Sequence, residues 1–465
     1  LKILLNEFEN IEGMSEEESK LIAKLLAVWK KKRQRNNIKT EYYDGKIKVK
    51  NLGISVPRDL AILSDVVLGW GAKAVDALAV RSRFDGFVYE GLNEDPLNDA
   101  LRRNNFSELY RQAVLSELTN SCAFITVGAG MDGEPDVIIN AYAANRGAAI
   151  WNARNKCIDA GIVITEVGEK VKSEPEAIIL YTKDSAIECK RTNEKWASTR
   201  TDYEFGRPLM EALIYKPTLT KPLGTSRISR AVMSIIDRAM RCAVRMDVAA
   251  EFFSTPQKYL LGAEEDVLNG MSKWEAYIGY ILGIGRDENG ELPEFGQLSQ
   301  MQLTPLTDQM RALAAEFAGE TGVPVSSLGV IHDNPASAEA IYAEREDLIL
   351  EADSLNVTNG NALQNIGLLA LAILGGYKTI DAMPNEWKTI MPKFKSTSKL
   401  SVVSQSDAIV KQVSAVPWIA DTDVALEELG YSVEQITRMK AQRVGTTASM
   451  TFKEIADKLA EQTTA

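Results

Sequence analysis

Residues 222–263 read PLGTSRISRAVMSIIDRAMRCAVRMDVAAEFFSTPQKYLLGA, a long two-faced helix that switches abruptly to strand. At about 100° per residue, Ile228, Val232, Ile235, Ile236, Ala239 and Ala243 gather on one side. Arg227, Arg230, Arg238, Arg241 and Arg245 fall within roughly an 80° arc on the other. Gly224 and Thr225-Ser226 supply a start signal, so the spacing predicts a helix from Ser226 to Phe253, about 40 Å long. Thr255-Pro256 ends it, and Gln257 to Leu261 read as a strand. The apolar stripe asks for a partner, whereas the arginine edge reads first as a solvated helix face.

Downstream, Thr304-Pro305 marks an N-cap and first-turn proline for a helix with Leu306, Met310, Leu313 and Phe317 on one stripe, closed by Gly319 and Gly322. Packed antiparallel to the first helix, it would bury the Ile228 to Ala243 stripe and leave the arginines for solvent, a neighbouring subunit or a channel. Between the two helices, residues 256–302 predict a strand, a short helix around Met271 to Tyr277, and a hairpin turning at Asp287-Glu288-Asn289-Gly290. A helix is expected from Asn334-Pro335, and the segment to Asp353 carries Asp333, Glu339, Glu344, Glu346, Asp347, Glu351 and Asp353 against Arg345 alone. A solvated face and a role between subunits or in a lumen both suit these acids. A further helix around Leu363 to Leu374 ends at Gly375-Gly376, Lys393 to Gln405 reads as extended, and residues 406–463 return to short helices separated by Pro417, Gly430 and Gly445.

Upstream, Ser15 and Glu18 form a capping box for a helix reaching about Arg35, with Leu21, Ile22, Leu25, Val28 and Trp29 buried. Lys30 to Arg33 then read as cations closing a helix C-terminus rather than a nucleic-acid cluster. Further helices fit Pro57 to Val80 and Asn98 to Asn120, the latter with Ala100, Leu101, Leu109, Ala113 and Leu118 on its buried spacing. Between about 121 and 216 the period falls towards two, in CAFITV, DVIINAY, GIVITEV and EAIILYT, which predicts one antiparallel sheet or two small ones. Gly128, Gly130 and Gly133 spell a GxGxxG after a strand, but Glu134-Pro135 leads into another strand and not a helix, so the stretch reads as a hairpin turn. No GxxxxGK[ST] loop occurs, which excludes a conventional P-loop motor in this chain.

With 465 residues and 45% hydrophobic content, the chain can bury sizeable cores and divide into several substructures. Its net charge of −11 argues against tight nucleic-acid binding, yet it is compatible with a surface past which DNA slides. No stretch approaches 18 uninterrupted apolar residues, so neither a membrane nor an exported destination is expected. Cys122, Cys157, Cys189 and Cys242 lack metal-ligand spacing and read as reduced thiols, and no cofactor or metal is expected.

The run from Gly224 through Gly262 resembles the portal proteins of tailed bacteriophages, in the branch found in long-tailed phages. The resemblance extends to Trp70–Phe87 (WGAKAVDALAVRSRFDGF), Ala149–Ala160 (AIWNARNKCIDA) and Gly322–Ala340 (GVPVSSLGVIHDNPASAEA). It implies a helix-rich α+β fold of portal type: a wing of helices plus antiparallel sheet over 1–225, a stem helix over 226–255, a small α/β clip over 256–302, a second stem helix over 303–322, a tunnel loop over 323–335, wing helices over 336–395 and a helical crown over 396–465. It further implies a non-enzymatic subunit of a homo-dodecameric ring at the portal vertex of the capsid, assembled in the host cytoplasm. Such a ring passes double-stranded DNA without reading its sequence, docks the terminase large subunit and then the head-completion or adaptor proteins, and meets major capsid and scaffolding proteins. On this resemblance Val325, Ser326, Ser327, His332, Asp333 and Asn334 fall in the tunnel loop, while Lys258, Tyr259, Arg286, Asp287, Glu288 and Asn289 fall in the clip. Two other classes remain open to the residues themselves. One is an enzyme using His332, the only histidine, with nearby acids. The other is a protein that grips DNA through its arginine edge.

Overall fold

The structure, a computed structural model, describes residues 11, 13–49, 66–88, 96–168, 174–192, 195–253, 258–261, 294–297, 302–329, 338–398, 402–431, 435–436 and 438–443. The chain divides into two compact units, Leu1–Thr397 and Ser398–Ala465.

Helix α1 (Glu16–Tyr43) opens with the expected capping box, Ser15 and Glu18 bonding each other's backbone N–H. It continues well past Arg35: the buried face persists through Asn36, Lys39 and Tyr42, two of them polar, to the stop at Asp44 and Gly45 (φ 68°). Lys30 to Arg33 therefore lie in mid-helix rather than at its end, with the Arg33 guanidinium 5.0 Å from the Trp29 ring. Of the predicted buried side, Ile22, Leu25 and Trp29 are buried, whereas Val28 is 36% exposed. Helix α2 (Trp70–Ala79) is shorter than the predicted 57–80 element: residues 66–69 are not helical, and 51–65 lie outside the described residues. Strand β1 (Phe84–Val88) follows, then α3 (Pro96–Arg103) and α4 (Phe106–Asn120) where one helix was expected. The break has a physical cause. Asn105 adopts a left-handed conformation, φ 49°, while the Asn104 amide bonds Ala100 O and Val137 O and accepts from Ile139 N, exchanging helical continuity for a dock onto the next sheet.

Residues 122–214 form two antiparallel sheets. Strands β2 (Cys122–Ala129), β3 (Val137–Ala143) and β9 (Met210–Ile214) make one in the order β3-β2-β9, and β4 (Gly147–Asn152), β5 (Cys157–Val167), β6 (Pro175–Tyr181), β7 (Ser185–Thr192) and β8 (Lys195–Asp202) make a meander. The GxGxxG stretch is the β2–β3 turn: Gly130 N–H donates to Asp136 O, and a Cβ on Gly130 would lie 1.9 Å from Pro135 O. The first half of α1 covers the meander with Ile22, Leu25, Leu26 and Trp29 against Ile162, Ile178, Leu180 and Ile187. Its far end reaches the main core, where Tyr42 Oη donates to Asp237 Oδ1 at 2.7 Å.

Helix α5 (Arg230–Phe253) and helix α6 (Thr304–Thr321) run antiparallel, since Ser229 meets Glu320, Arg238 meets Glu316, and Cys242 meets Leu306 and Gln309. Ile228, Val232, Ile235, Ile236 and Ala239 are buried as the stripe required, facing Leu313, Ala314 and Phe317. Between the helices in sequence, β10 (Lys258–Leu261) pairs antiparallel with β11 (Glu294–Gln297); the predicted short helix and the turn at 287–290 lie outside the described residues. In α6, Thr304 is helical and Leu303 is the cap residue, without a side-chain bond; the helix passes Gly319 and stops at Gly322, φ 65°.

Helix α7 (Ala338–Leu374) is one continuous rod of about 55 Å, which merges the two helices expected on either side of Gly360. Gly360 faces the Pro392 ring, and Gly367 admits Phe87 and Ile390 so closely that a Cβ would lie 2.9 Å from one and 2.7 Å from the other. Residues 345–374 are long and apolar enough to cross a membrane by length and composition, but Leu348, Ala352, Leu355, Leu363, Ile366, Leu369, Ala370 and Leu371 are buried within the protein. After the short helix α8 (Asn385–Lys388), β12 (Met391–Phe394) pairs with β1. Phe84, Phe87, Phe106, Tyr110 and Phe394 form an aromatic cluster there, with linked centroids 5.1–6.4 Å apart. The second unit contains α9 (Val402–Ala415), a 3-10 turn over Pro417–Asp421 and α10 (Asp423–Glu428), ended by Gly430 at φ 90°. Residues 402–405 are thus helical, not extended as the polar composition suggested.

Candidate functional site

The α5–α6 hairpin is rooted by a side chain that the helical wheel assigned to its exposed edge. Arg227 precedes α5 and is 6% exposed. The segment before the helix is held by other bonds: Thr225 N–H donates to Tyr215 O, Arg227 N–H to Leu118 O, and Ser226 Oγ to Thr119 O while accepting from Ile228 N–H. Helix geometry starts only when Ser229 Oγ caps Val232 N–H at 3.1 Å. The wheel angle therefore does not apply to Arg227, and the structure removes it from the arginine edge.

The Arg227 guanidinium instead donates to Ala74 O on α2, to Thr321 O at the end of α6, to Tyr215 Oη just past β9, and to Glu351 on α7. Glu351 also accepts from Tyr215 Oη and Lys216 Nζ. Burial raises the Glu351 pKa, but Arg227, Lys216 and Tyr215 more than offset it, so the net shift is downward. Burial also raises the Tyr215 phenol, and the facing carboxylate pushes the same way. One buried ion pair thereby joins the roots of both hairpin helices to α2, α7 and the end of β9. Glu351, one of the acids of 333–353, thus finds a cationic partner inside the chain, in Arg227.

Along the hairpin the edge is shallower. Arg230 is exposed, whereas Arg238, Arg241 and Arg245 are half-buried. Arg238 pairs with Glu316 of α6, the two side chains 41% and 50% exposed. Arg230, Arg241 and Arg245 make no ion pair among the described residues.

Beyond Gly322, Val323 is buried and residues Val325–Leu328 form a 3-10 turn. Val325 and Leu328 pack against the core, so Val325 is an anchor and not a free loop residue; Ser326 and Ser327 are exposed. His332, Asp333 and Asn334 lie outside the described residues, as do Arg286, Asp287, Glu288 and Asn289. Lys258 and Tyr259 are on β10, opposite Gln297 and Gly296.

A second buried polar cluster was missed from the sequence. Glu117 on α4 is fully buried and accepts from Asn359 Nδ2 of α7 at 2.9 Å. Tyr110, Ser82 and Asn356 continue the chain of hydrogen bonds. Burial pushes the Glu117 carboxyl up to about 8, only partly countered by Asn359. Its available signal was position: Tyr110, Ala113, Val114 and Glu117 share the buried spacing of α4.

A helical hairpin rooted by a largely buried ion pair, with a two-stranded sheet between its arms in sequence and set in helices and antiparallel sheets, defines a helix-rich α+β protein. The family described as phage portal protein, SPP1 Gp6-like, matches residues 22–445, and the chain belongs to that family. It is 25% identical over 416 residues to the portal protein of Mycobacterium phage L5, covering 86% of this chain and 83% of that protein. Against the portal protein of Mycobacterium phage D29 it is 23% identical over 430 residues, covering 90% and 86%. Among solved structures, a chain in the neck of an empty GTA particle aligns with TM-score 0.46 and 13% identity, over 77% of this chain and 89% of that one. The portal family is structural in character.

Proposed function

We propose that this chain is the ring-forming portal subunit of a phage capsid vertex, and that its ring is the passage for double-stranded DNA during packaging and ejection. The observation that carries the reading is the α5–α6 hairpin, tied through Arg227 to α2, α7 and Glu351, in a chain that matches the portal family over residues 22–445. In a ring, such hairpins are the stem: rigid, laterally packed helices that hold a bore open. The β10–β11 sheet, with Lys258 and Tyr259 on β10, belongs to the clip, which docks the terminase motor and later head-completion proteins. Residues 323–335 approach the DNA from the wall, with Val325 as the fixed end and Ser326 and Ser327 exposed. The unit beginning at Ser398 is the crown. A net charge of −11 suits a bore that DNA passes without sticking, by weak and screened repulsion. ATP hydrolysis belongs to the motor, and this chain supplies geometry.

The test is native mass spectrometry with axial class averages, on the chain alone and co-expressed with the capsid and scaffolding proteins of its own phage. A closed hollow ring of dodecameric mass is the expected result. A chain that stays monomeric in both preparations, and is absent from assembled heads, would overturn the proposal.

A further inference from the structure

Arg227 is a buried cation with a full set of partners; Lys39 is a buried cation with none. Lys39 sits on α1 and is 8% exposed, and among the described residues its ammonium makes neither a hydrogen bond nor an ion pair. The charged groups that face it are cations. Lys32 and Arg35 precede it by seven and four positions, so all three fall within roughly a 60° arc of one helix face. Lys221 comes from the loop between β9 and α5, next to the Thr218–Lys221 bridge. The remaining neighbour is the Cys122 thiol at the start of β2, which burial pushes up to about 12, so that it stays neutral and offers no counter-charge.

Three cations from two segments, α1 and the loop before α5, around a water-excluded ammonium is an unusual arrangement in a chain with 64 acids and 53 bases. Acids are abundant, and among the described residues none is placed against this ammonium. Burial, with Arg35, Lys32 and Lys221 acting in the same direction, holds Lys39 down at about 8. A bound anion would reverse that and restore the ordinary lysine range. The shape of the donors narrows the ligand. A lysine offers three hydrogens from a point charge, Arg35 offers a planar fork, and Lys32, Arg35 and Lys221 are exposed at the rim on long stems. Several cationic donors on one face suit a multiply charged tetrahedral oxyanion better than a halide.

We propose that Lys39, with Lys32, Arg35 and Lys221, forms a binding site for a phosphate oxyanion, either free or in a polynucleotide backbone. The site belongs to the body of the first unit and does not depend on the hairpin reading given above.

The test is equilibrium dialysis of radiolabelled inorganic phosphate against the full chain, at constant ionic strength in chloride. We expect saturable phosphate binding. Lys39→Gln should weaken it about tenfold or more, as loss of a charge-assisted contact does. The rim variant Lys221→Ser, which alters an exposed side chain and leaves the fold intact, should weaken it several-fold, and Lys190→Ser, on the meander, should leave it unchanged. Competitive acetylation read by peptide mass spectrometry should show the apparent Lys39 pKa rising with phosphate. Displacement of phosphate by a short duplex would identify a backbone phosphate as the source, and failure of the duplex to compete would identify the free ion. No binding above the chloride baseline, or binding that Lys39→Gln and Lys221→Ser leave untouched, would overturn the site.

Discussion

The root of the helical hairpin and its shaft are built from the same residue type and held by different physics. At the root, Arg227 is buried and Glu351 largely so, their side chains 4% and 16% exposed, and four further groups, Ala74 O, Thr321 O, Tyr215 Oη and Lys216 Nζ, close around them. On the shaft, Arg238 and Glu316 meet in water, and the packing beneath them, Ile235, Ile236, Ala239 and Phe317, carries the association. An ion pair fixes position where it is desolvated and fully partnered, and decorates the surface where it is not.

The comparison breaks most sharply at Arg227. Arg227→Met leaves the Glu351 carboxylate buried with Lys216 as its remaining cation, so it should cost about 3 kcal/mol in denaturant unfolding. Glu351→Gln should cost less than that, and the double variant less than the sum, because the two changes remove one interaction. Additive losses would mean that Arg227 acts through its backbone-carbonyl contacts alone.

Glu117 sharpens the same point from the other side, as a buried carboxyl with no cation. Its Oε1 and the Oδ1 of Asn359 are both buried without a hydrogen-bond partner, and a proton on the carboxyl turns one of these two acceptors into a donor. In the native protein the group keeps its proton up to about 8, against 4.5 for the ordinary carboxyl. Its stabilising contribution is therefore complete below 4.5 and is lost as pH rises from there through 8. Unfolding free energy should fall by about 1 kcal/mol per pH unit across that window. Glu117→Gln, neutral at every pH, should flatten the profile.

What the sequence disclosed follows the same division. The Ile228 to Ala239 stripe, the return helix with Leu313 and Phe317, the capping box at Ser15 and the hairpin turn at Gly128 to Gly133 are local patterns, and each was legible. Arg227 was not, because a helical wheel extends an angle past the true start of the helix, and the bonds that delay that start come from Tyr215, Leu118 and Thr119. The break at Asn104-Asn105 is likewise paid by a strand 33 residues away. α7 runs on through Gly360, where Pro392 from the distant β12 lies alongside, a neighbour that the local pattern does not reveal. The buried positions of Lys39 and Glu117 were written in the spacing, but chain polarity points outward for charged residues unless a partner is known.

A smaller effect lies at the junction of root and shaft. Ser229 caps Val232 N–H and also donates to Glu320 across the pair, so Ser229→Ala should destabilise by about 1 kcal/mol, the ordinary value of a helix cap. Ser229→Asp keeps the cap but sets a carboxylate against Glu320. It should restore little at low salt and more at high salt, where the repulsion is screened.

The smallest effect is expected at Arg238, and it decides whether the shaft is in fact held by packing. Arg238→Ala removes the pair with Glu316, but both side chains are two-fifths to half exposed, so the loss should not exceed about 0.5 kcal/mol and should shrink further in salt. One feature works against so small a value: the Arg238 Nε is buried without a partner, a cost that the alanine variant relieves. The two contributions oppose each other, and a change near zero in a urea titration is the expected outcome. A loss comparable to that of Arg227→Met would place the shaft pair in a desolvated setting, which for a half-exposed pair requires a second molecule covering it. On the proposed ring, the same variant measured in the ring and in the separated chain would then locate that cover, since contact between subunits would remove water from Arg238 in one state and return it in the other.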